Sequence, residues 1–188
     1  PDCAIIGGGP VGLIFAILCR TSIGNVQIFE SEEHKSKNQD NRALALSNGS
    51  RLILKEIGVW DRLEKKITKI KKIHTSQAGS FGRTMLDAEE FNEDSLGYII
   101  SYGDLMGALQ EEVECIRNVK ISYGTKVTKC IDEKSSLNLT LQTNNKTKKF
   151  KSEFVVLADG TTEGIEGLEL NKKIKHFNHA AIVTKVLS

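Results

Sequence analysis

Gly7, Gly9 and Gly12 stand in IIGGGPVGLIF at the spacing Gly-x-Gly-x-x-Gly, and Glu30 ends the apolar run VQIFE eighteen residues after the last of them. The chemistry open to such a set is recognition of a diphosphate and its sugar. The first glycine permits a tight turn, the second lets backbone approach a pyrophosphate, and the third lets the following helix pack on the strand. Amide groups at the start of a helix then face the anion along a favourable dipole. A carboxylate ending the next strand accepts hydrogen bonds from ribose hydroxyls, which favours a ribose without an added phosphate. Three glycines alone would equally describe a plain packing turn. An apolar segment on each side and an acid at the right distance carry the reading to dinucleotide binding. NAD and FAD share this half-site, but an NAD dehydrogenase would normally continue with further β-α units, and inserted strands interrupt them here.

No other constellation competes. Cysteines at 3, 19, 115 and 130 form no C-x-x-C pair, so core thiols in a reduced, cytoplasmic chain are expected rather than a disulfide framework. His176 and His179 lie three apart in HFNH without a carboxylate or cysteine cluster, so no metal is expected. Ser, His and Asp fall in no nucleophile-elbow pattern. A net charge of +2 is too small to point to nucleic acid. The basic stretches KKITKIKK and NNKTKKFK read as solvated faces or edge-strand protection, with a place beside a lipid-like substrate as the lesser reading. Nor is the apolar N-terminus an export or spanning segment: Pro1 and Asp2 precede it, and Gly7, Gly8, Gly9, Pro10 and Gly12 interrupt it before Arg20.

The elements that must position the glycines and the acid form a β-α-β unit: CAIIG as a strand, PVGLIFAILCRTS as a helix with Pro10 in its first turn, and NVQIFE as a second strand. A polar loop, SEEHKSKNQDN, follows. SNGSRLILKEIGVWDRL reads as one helix capped by Ser47. From 67 to 102, ITKIKKIHTS, RTMLDAEEF and LGYIISY read as strands of a separate sheet. GDLMGALQEEVECIRN reads as a helix, VKISYG and KVTKCIDEKS as strands, and LNLTLQTNNKTKKFKS as a hairpin turning at TNNKT. EFVVLADG is a strand ending in a turn, and HAAIVTKVLS a final strand whose partner is missing.

With AIIGGGPVG, VQIFE, DNRALALSNGSRLILKEIGVWDRL, LGYIISYGDLMGAL and FVVLADG in that order, the sequence resembles the flavin-dependent aromatic hydroxylases related to p-hydroxybenzoate hydroxylase. Within them it is most similar to the bacterial ubiquinone-biosynthesis hydroxylases. The resemblance implies an α/β, Rossmann-like FAD-binding fold with an inserted β-sheet region. It divides the chain into 1–66 and 103–165 for FAD, 67–102 for inserted strands on the substrate side, and 166–188 for the start of a substrate domain. Gly7, Gly9 and Gly12 would hold the FAD pyrophosphate, Glu30 the adenosine ribose, and Arg42 would lie along the cofactor as a charge partner. Val127 matches a position whose backbone meets the adenine, and Asp159 and Gly160 match a DG element near the pyrophosphate. No side chain is expected to be catalytic.

Three departures from the pattern stand out. Tyr102 replaces a polar residue or arginine before the DL of the middle helix, and TTEGIEGLEL lacks the usual asparagine-serine and arginine. The later GD element that contacts the ribityl chain is absent before Ser188, so the chain is expected to be the truncated N-terminal half of a longer relative.

The function implied is hydroxylation of a prenylated phenol by oxygen, with FAD as cofactor and NAD(P)H as electron donor. The implied setting is the cytoplasm or the periphery of the inner membrane, where a ubiquinone-biosynthesis protein complex or the membrane surface would be the partner. A flavin reductase of isoprenoid double bonds and a noncatalytic nucleotide-binding or assembly module are the rival readings.

Overall fold

A computed structural model describes residues 2–34, 41–76, 79, 81–144, 146–160, 164–169, 173 and 175. The expected final strand and the histidines at 176 and 179 lie outside them.

Apolar residues on both faces make β1 (Cys3–Ile6) the centre of a parallel sheet, since all four are buried. Pro10, which has no amide hydrogen to lose, opens α1 (Pro10–Leu18), and Gly9 sits at its cap. The helix stops short of the expected RTS extension, in a turn where Ser22 and Ile23 both donate to the Cys19 carbonyl. β2 (Val26–Phe29) then returns parallel to β1, pairing Ile28 with Ile5.

One short strand was not apparent in the sequence. β3 (Ala43–Leu46) joins a second sheet, because alternating alanine and leucine gives one small exposed face and one half-buried face. The expected single helix over 47–63 is two: α2 (Asn48–Glu56), capped by the Ser47 hydroxyl accepting from the Ser50 amide at 3.1 Å, and α3 (Trp60–Leu63). Gly58, at φ +75, turns the chain between them, and Ile57, Val59, Trp60 and Leu63 are all buried by that turn.

ITKIKKIHTS also divides. β4 (Thr68–Ile70) and β5 (Lys72–Ser76) lie on either side of Lys71 and belong to different sheets. Among the described residues β6 (Arg83–Asp87) pairs only with β5, and the expected strand over 83–91 gives way at Ala88 to a 3-10 turn, which the Asp87 carboxylate caps by accepting from the Glu89 amide. β7 (Gly97–Ser101) lies between β3 and β4. The inserted strands thus form two sheets, one of which recruits a strand from before residue 67.

α4 (Tyr102–Glu114) leads into β8 (Val119–Ser122), which extends the parallel sheet beside β2. β9 (Lys126–Glu133), β10 (Ser136–Thr143) and β11 (Lys146–Ser152) form an antiparallel sheet, with Asn144 at φ +44 making the expected hairpin turn. β12 (Phe154–Leu157) completes the order β12-β1-β2-β8.

Strand alternation divides the core in two. Cys3, Ile5, Val26 and Ile28 face α1, α4 and the β3-β7-β4 sheet, where the Trp60 and Tyr98 rings meet edge to face at 4.9 Å. Ala4, Ile6 and Phe29 face the antiparallel sheet, packing on Cys130, Leu139 and Leu141, and Phe29 meets Phe150 at 4.8 Å. Among the described residues no helix is long and apolar enough to cross a membrane.

Candidate cofactor site

Every strand of the parallel sheet points its carboxyl end to one edge, and that edge collects the turn after β1, Glu30 after β2, Tyr123 after β8 and Ala158–Asp159 after β12. The chain leaves β1 toward β2 on one side and returns to it as β12 on the other. Ligands of open α/β sheets settle at such a reversal.

Each glycine of the turn answers a different demand. Gly7 is at φ +109, and a Cβ there would lie 2.3 Å from the Ala158 carbonyl oxygen and 2.7 Å from the Asp159 Cα. The Asp-Gly turn therefore closes directly over the glycine turn, helped by the Ala158 amide donating to the Ile6 carbonyl at 2.8 Å. A Cβ at Gly12 would stand 2.1 Å from the Gly7 carbonyl oxygen, so α1 approaches the turn as only glycine permits. Gly9 differs from both: a Cβ there would meet nothing within 4 Å. Its φ of −73° would suit any residue, so neither packing nor backbone strain requires glycine at this position. Open space at the cap of a helix beside two sterically obligatory glycines is the shape of an anion cradle.

Glu30 is turned into this cradle. Its Oε2 accepts from the Gly8 amide at 2.7 Å, and its Oε1 accepts from the Glu32 amide at 2.8 Å and the Ser31 hydroxyl at 3.3 Å. An ionised carboxylate offers about four lone-pair sites, so Oε2 keeps one for a sugar hydroxyl. The start of β9 is fastened beside it, with the Thr125 amide donating to the Glu30 carbonyl at 2.8 Å and the Gly124 amide to the Glu32 carbonyl at 3.0 Å. Tyr123 accepts a hydrogen bond from the Gln110 amide nitrogen at 3.3 Å, and the His34 ring stands edge-on to it at 4.7 Å. Burial, with the charge of Glu114 second, raises the Tyr123 phenol above its ordinary value and keeps it neutral.

The structure therefore brings Gly7, Gly9, Gly12, Glu30, Asp159 and Gly160 to one edge. Gly160 is exposed at φ +65. Val127 follows two residues after Thr125, but its side chain is 6% exposed within the second core, which leaves only backbone for a ligand to meet. Arg42 is exposed just before β3, its guanidinium carbon 4.9 Å over the Tyr102 ring. Gly8 and Thr125 were missed in the sequence. The triple glycine was the one signal for Gly8, whereas nothing in the residue type of Thr125 marks its backbone bond.

A cavity of about 310 Å³ lined by Asn48, Arg51, Leu52, Glu93, Asp94, Ser95 and Tyr98 shares no residue with this edge. No group of three or more His, Cys, Asp or Glu among the described residues could hold a metal ion.

The family described as FAD binding domain matches residues 2–184. The ubiquinone hydroxylase UbiM of Neisseria meningitidis is 29% identical over 134 residues, which cover 67% of this chain and 29% of that protein. The ubiquinone biosynthesis monooxygenase COQ6 of Caenorhabditis elegans is 24% identical over 198 residues, covering 97% of this chain and 41% of its own. Among solved structures, p-nitrophenol 4-monooxygenase PnpA from Pseudomonas putida superposes with a TM-score of 0.71 at 20% identity, over 85% of this chain and 40% of that one. The chain spans less than half the length of these curated relatives.

Proposed function

Because the chain belongs to the FAD-binding domain family, we propose that it carries the cofactor half of an FAD-dependent monooxygenase that hydroxylates a prenylated phenolic ring in ubiquinone biosynthesis, using NAD(P)H and oxygen. The observation that carries the FAD reading is the cradle: open space at Gly9 between two glycines that packing demands, with Glu30 tied to the same turn. The names of the two ubiquinone-pathway relatives support the substrate class.

In this reading the amides of Val11 and Gly12, which come before the first helical bond from the Leu13 amide to the Gly9 carbonyl, are the donors that meet the diphosphate. Glu30 accepts from the adenosine ribose, and its negative charge disfavours a phosphorylated one. Arg42 supplies positive charge along the diphosphate, and Asp159 and Gly160 close the turn from the β12 side. When bound, FAD supplies the redox and oxygen chemistry, so this half needs no acid or base of its own. On the β3-β7-β4 sheet the cross-strand partners Ala45, Ile99 and Thr68 align beside Ala43, and among the described residues Ala43, Ala45 and Thr68 are exposed with Ile99 half-buried, a mostly apolar face on which a ring can lie.

The test is turnover by the intact protein with FAD, NAD(P)H, a prenylated phenol and isotopically labelled oxygen. One labelled oxygen atom in the product for each nicotinamide oxidised is the expected result. Anaerobic reduction of an isoprenoid double bond would establish the reductase instead. FAD binding without either turnover would leave an assembly module.

A further inference from the structure

The cavity of about 310 Å³ that the cofactor reading leaves unused lies between the first turn of α2 and the loop leading into β7. Two residues that line it each carry a buried polar atom with no hydrogen-bond partner among the described residues: Arg51 at Nε and Ser95 at Oγ. Ser95 is only 2% exposed, so its hydroxyl has left water without gaining a bond inside the fold. Leaving a buried polar group unsatisfied is costly, and native proteins hold few of them. Two beside one cavity mark it as a place for a ligand.

Arg51 is held in position. Its guanidinium carbon stands 6.0 Å over the Trp60 ring and 5.9 Å over the Tyr98 ring, and these two buried rings fix each other edge to face at 4.9 Å. The rings attract the cation through their π-faces and leave the Nε donor in its plane for another acceptor. The helix adds to the positive field. The first helical bond of α2 runs from the Arg51 amide to the Ser47 carbonyl at 3.1 Å, and Ser47 Oγ takes the Ser50 amide at 3.1 Å, so the Asn48 and Gly49 amides come before both. No acid stands in this first turn, and a cation beside it works against the helix dipole. A bound anion would relieve both conditions.

Negative charge nearby limits which anion can enter. Glu93 and Asp94, both exposed, line the same cavity. Asp94 is paired with Lys69, whose hydrogen bond holds its carboxyl below the usual aspartate range, and Arg51 adds a smaller pull. Two carboxylates repel a dianion more strongly than a single charge. Leu52, 58% exposed, and the Tyr98 ring supply apolar wall. The walls are tied together, because Asn48 Nδ2 donates to the Ser95 carbonyl at 3.2 Å.

We propose that this cavity is a binding site for a small monocarboxylate, whose carboxylate accepts from Arg51 Nε and Ser95 Oγ and whose carbon chain rests on Leu52 and Tyr98. The site is independent of the FAD reading, since it shares no residue with the cofactor edge.

The test follows the Arg51 Nε–H signal by NMR in the intact protein carrying isotopically labelled arginine, the signal being assigned by its loss in Arg51→Met. Butyrate is expected to shift it saturably, butylammonium to leave it unchanged, and inorganic phosphate to bind at least about threefold more weakly than butyrate. Ser95→Ala should weaken butyrate about tenfold, the loss of one hydrogen bond to a charged group. Its Tm should nevertheless stay within about 1 °C of wild type or rise, because the substitution removes a buried hydroxyl that the fold leaves unsatisfied. A signal that butyrate does not move, an equal response to butylammonium, or phosphate bound as tightly as butyrate would overturn the proposal. So would a Ser95→Ala variant with wild-type butyrate affinity or a clearly lower Tm. Should Arg51→Met not fold, Arg51→Lys, which keeps the charge and lacks the Nε–H, assigns the signal in its place.

Discussion

Two adjacent glycines of one motif should respond to the same substitution in opposite ways. At Gly12 an alanine methyl would lie 2.1 Å from the Gly7 carbonyl oxygen and 3.3 Å from Ile5 Cγ2, so α1 must move off the turn by roughly an ångström. Such overpacking costs about 1–3 kcal/mol, which in a chain of this size lowers Tm by about 2–12 °C. At Gly9 the methyl meets nothing within 4 Å, and the backbone at φ −73° and ψ −179° accepts alanine without strain. Alanine gains about 0.4–1 kcal/mol from a less flexible unfolded chain and loses a comparable amount as a poor helix cap, so Tm should move by less than about 2 °C. The methyl nevertheless fills the space left for the diphosphate, and FAD affinity should fall at least about tenfold, or 1.4 kcal/mol. Thermal melting of the apoprotein, paired with FAD titration, reads both quantities. Wild-type FAD affinity in a folded Gly9→Ala variant would refute the reasoning, as would a Gly9→Ala variant that melts as low as Gly12→Ala.

Other consequences concern single groups. Glu30→Gln removes the charge but keeps an amide oxygen for the Gly8 N–H, so titration should show FAD weakened about tenfold with the fold intact, whereas unchanged affinity would remove Glu30 from the site. Hydrogen bonds from Lys66, and then Ser101, hold the Asp104 carboxyl below the usual aspartate range. Its contribution to stability is therefore complete above the ordinary value of about 3.9 and is lost as pH falls through the lower folded pKa; acid unfolding of Asp104→Asn should show a shallower fall across that window. Burial pushes the Cys3 thiol up to about 11, and Cys130 is raised the same way, while Cys115 is exposed. Iodoacetamide near pH 8 should therefore label Cys115 in the native protein and reach Cys3 and Cys130 only on unfolding, as peptide mass spectrometry would show.

What the sequence made legible was local. The glycine spacing, Pro10 at a helix start, the acid closing VQIFE and the alternating arms around TNNKT each depend on neighbours within a few residues, and each appears where it was expected. Other features depended on distant partners. Ala43–Leu46 became a strand because β7 lies beside it, and alanine and leucine carry no strand preference to announce this. Gly58 broke a helix whose apolar spacing ran straight through it, since burial of Val59 and Trp60 outweighed continued helix. The closeness of Asp159 to Gly7 joins residues far apart in the chain, and only the pairing of β12 with β1 makes it visible. Val127 reads as core by type and is core by side chain, so its backbone is all that the site can use.

The central claim is that FAD lies across the Gly7–Gly12 turn, and a crystal structure of the intact protein grown with FAD tests it most directly. The expected density places the diphosphate over the open side of Gly9 at the start of α1, with an adenosine ribose hydroxyl on Glu30 Oε2. A diphosphate seated elsewhere, with Glu30 bonded only to Gly8, Ser31 and Glu32, would contradict it.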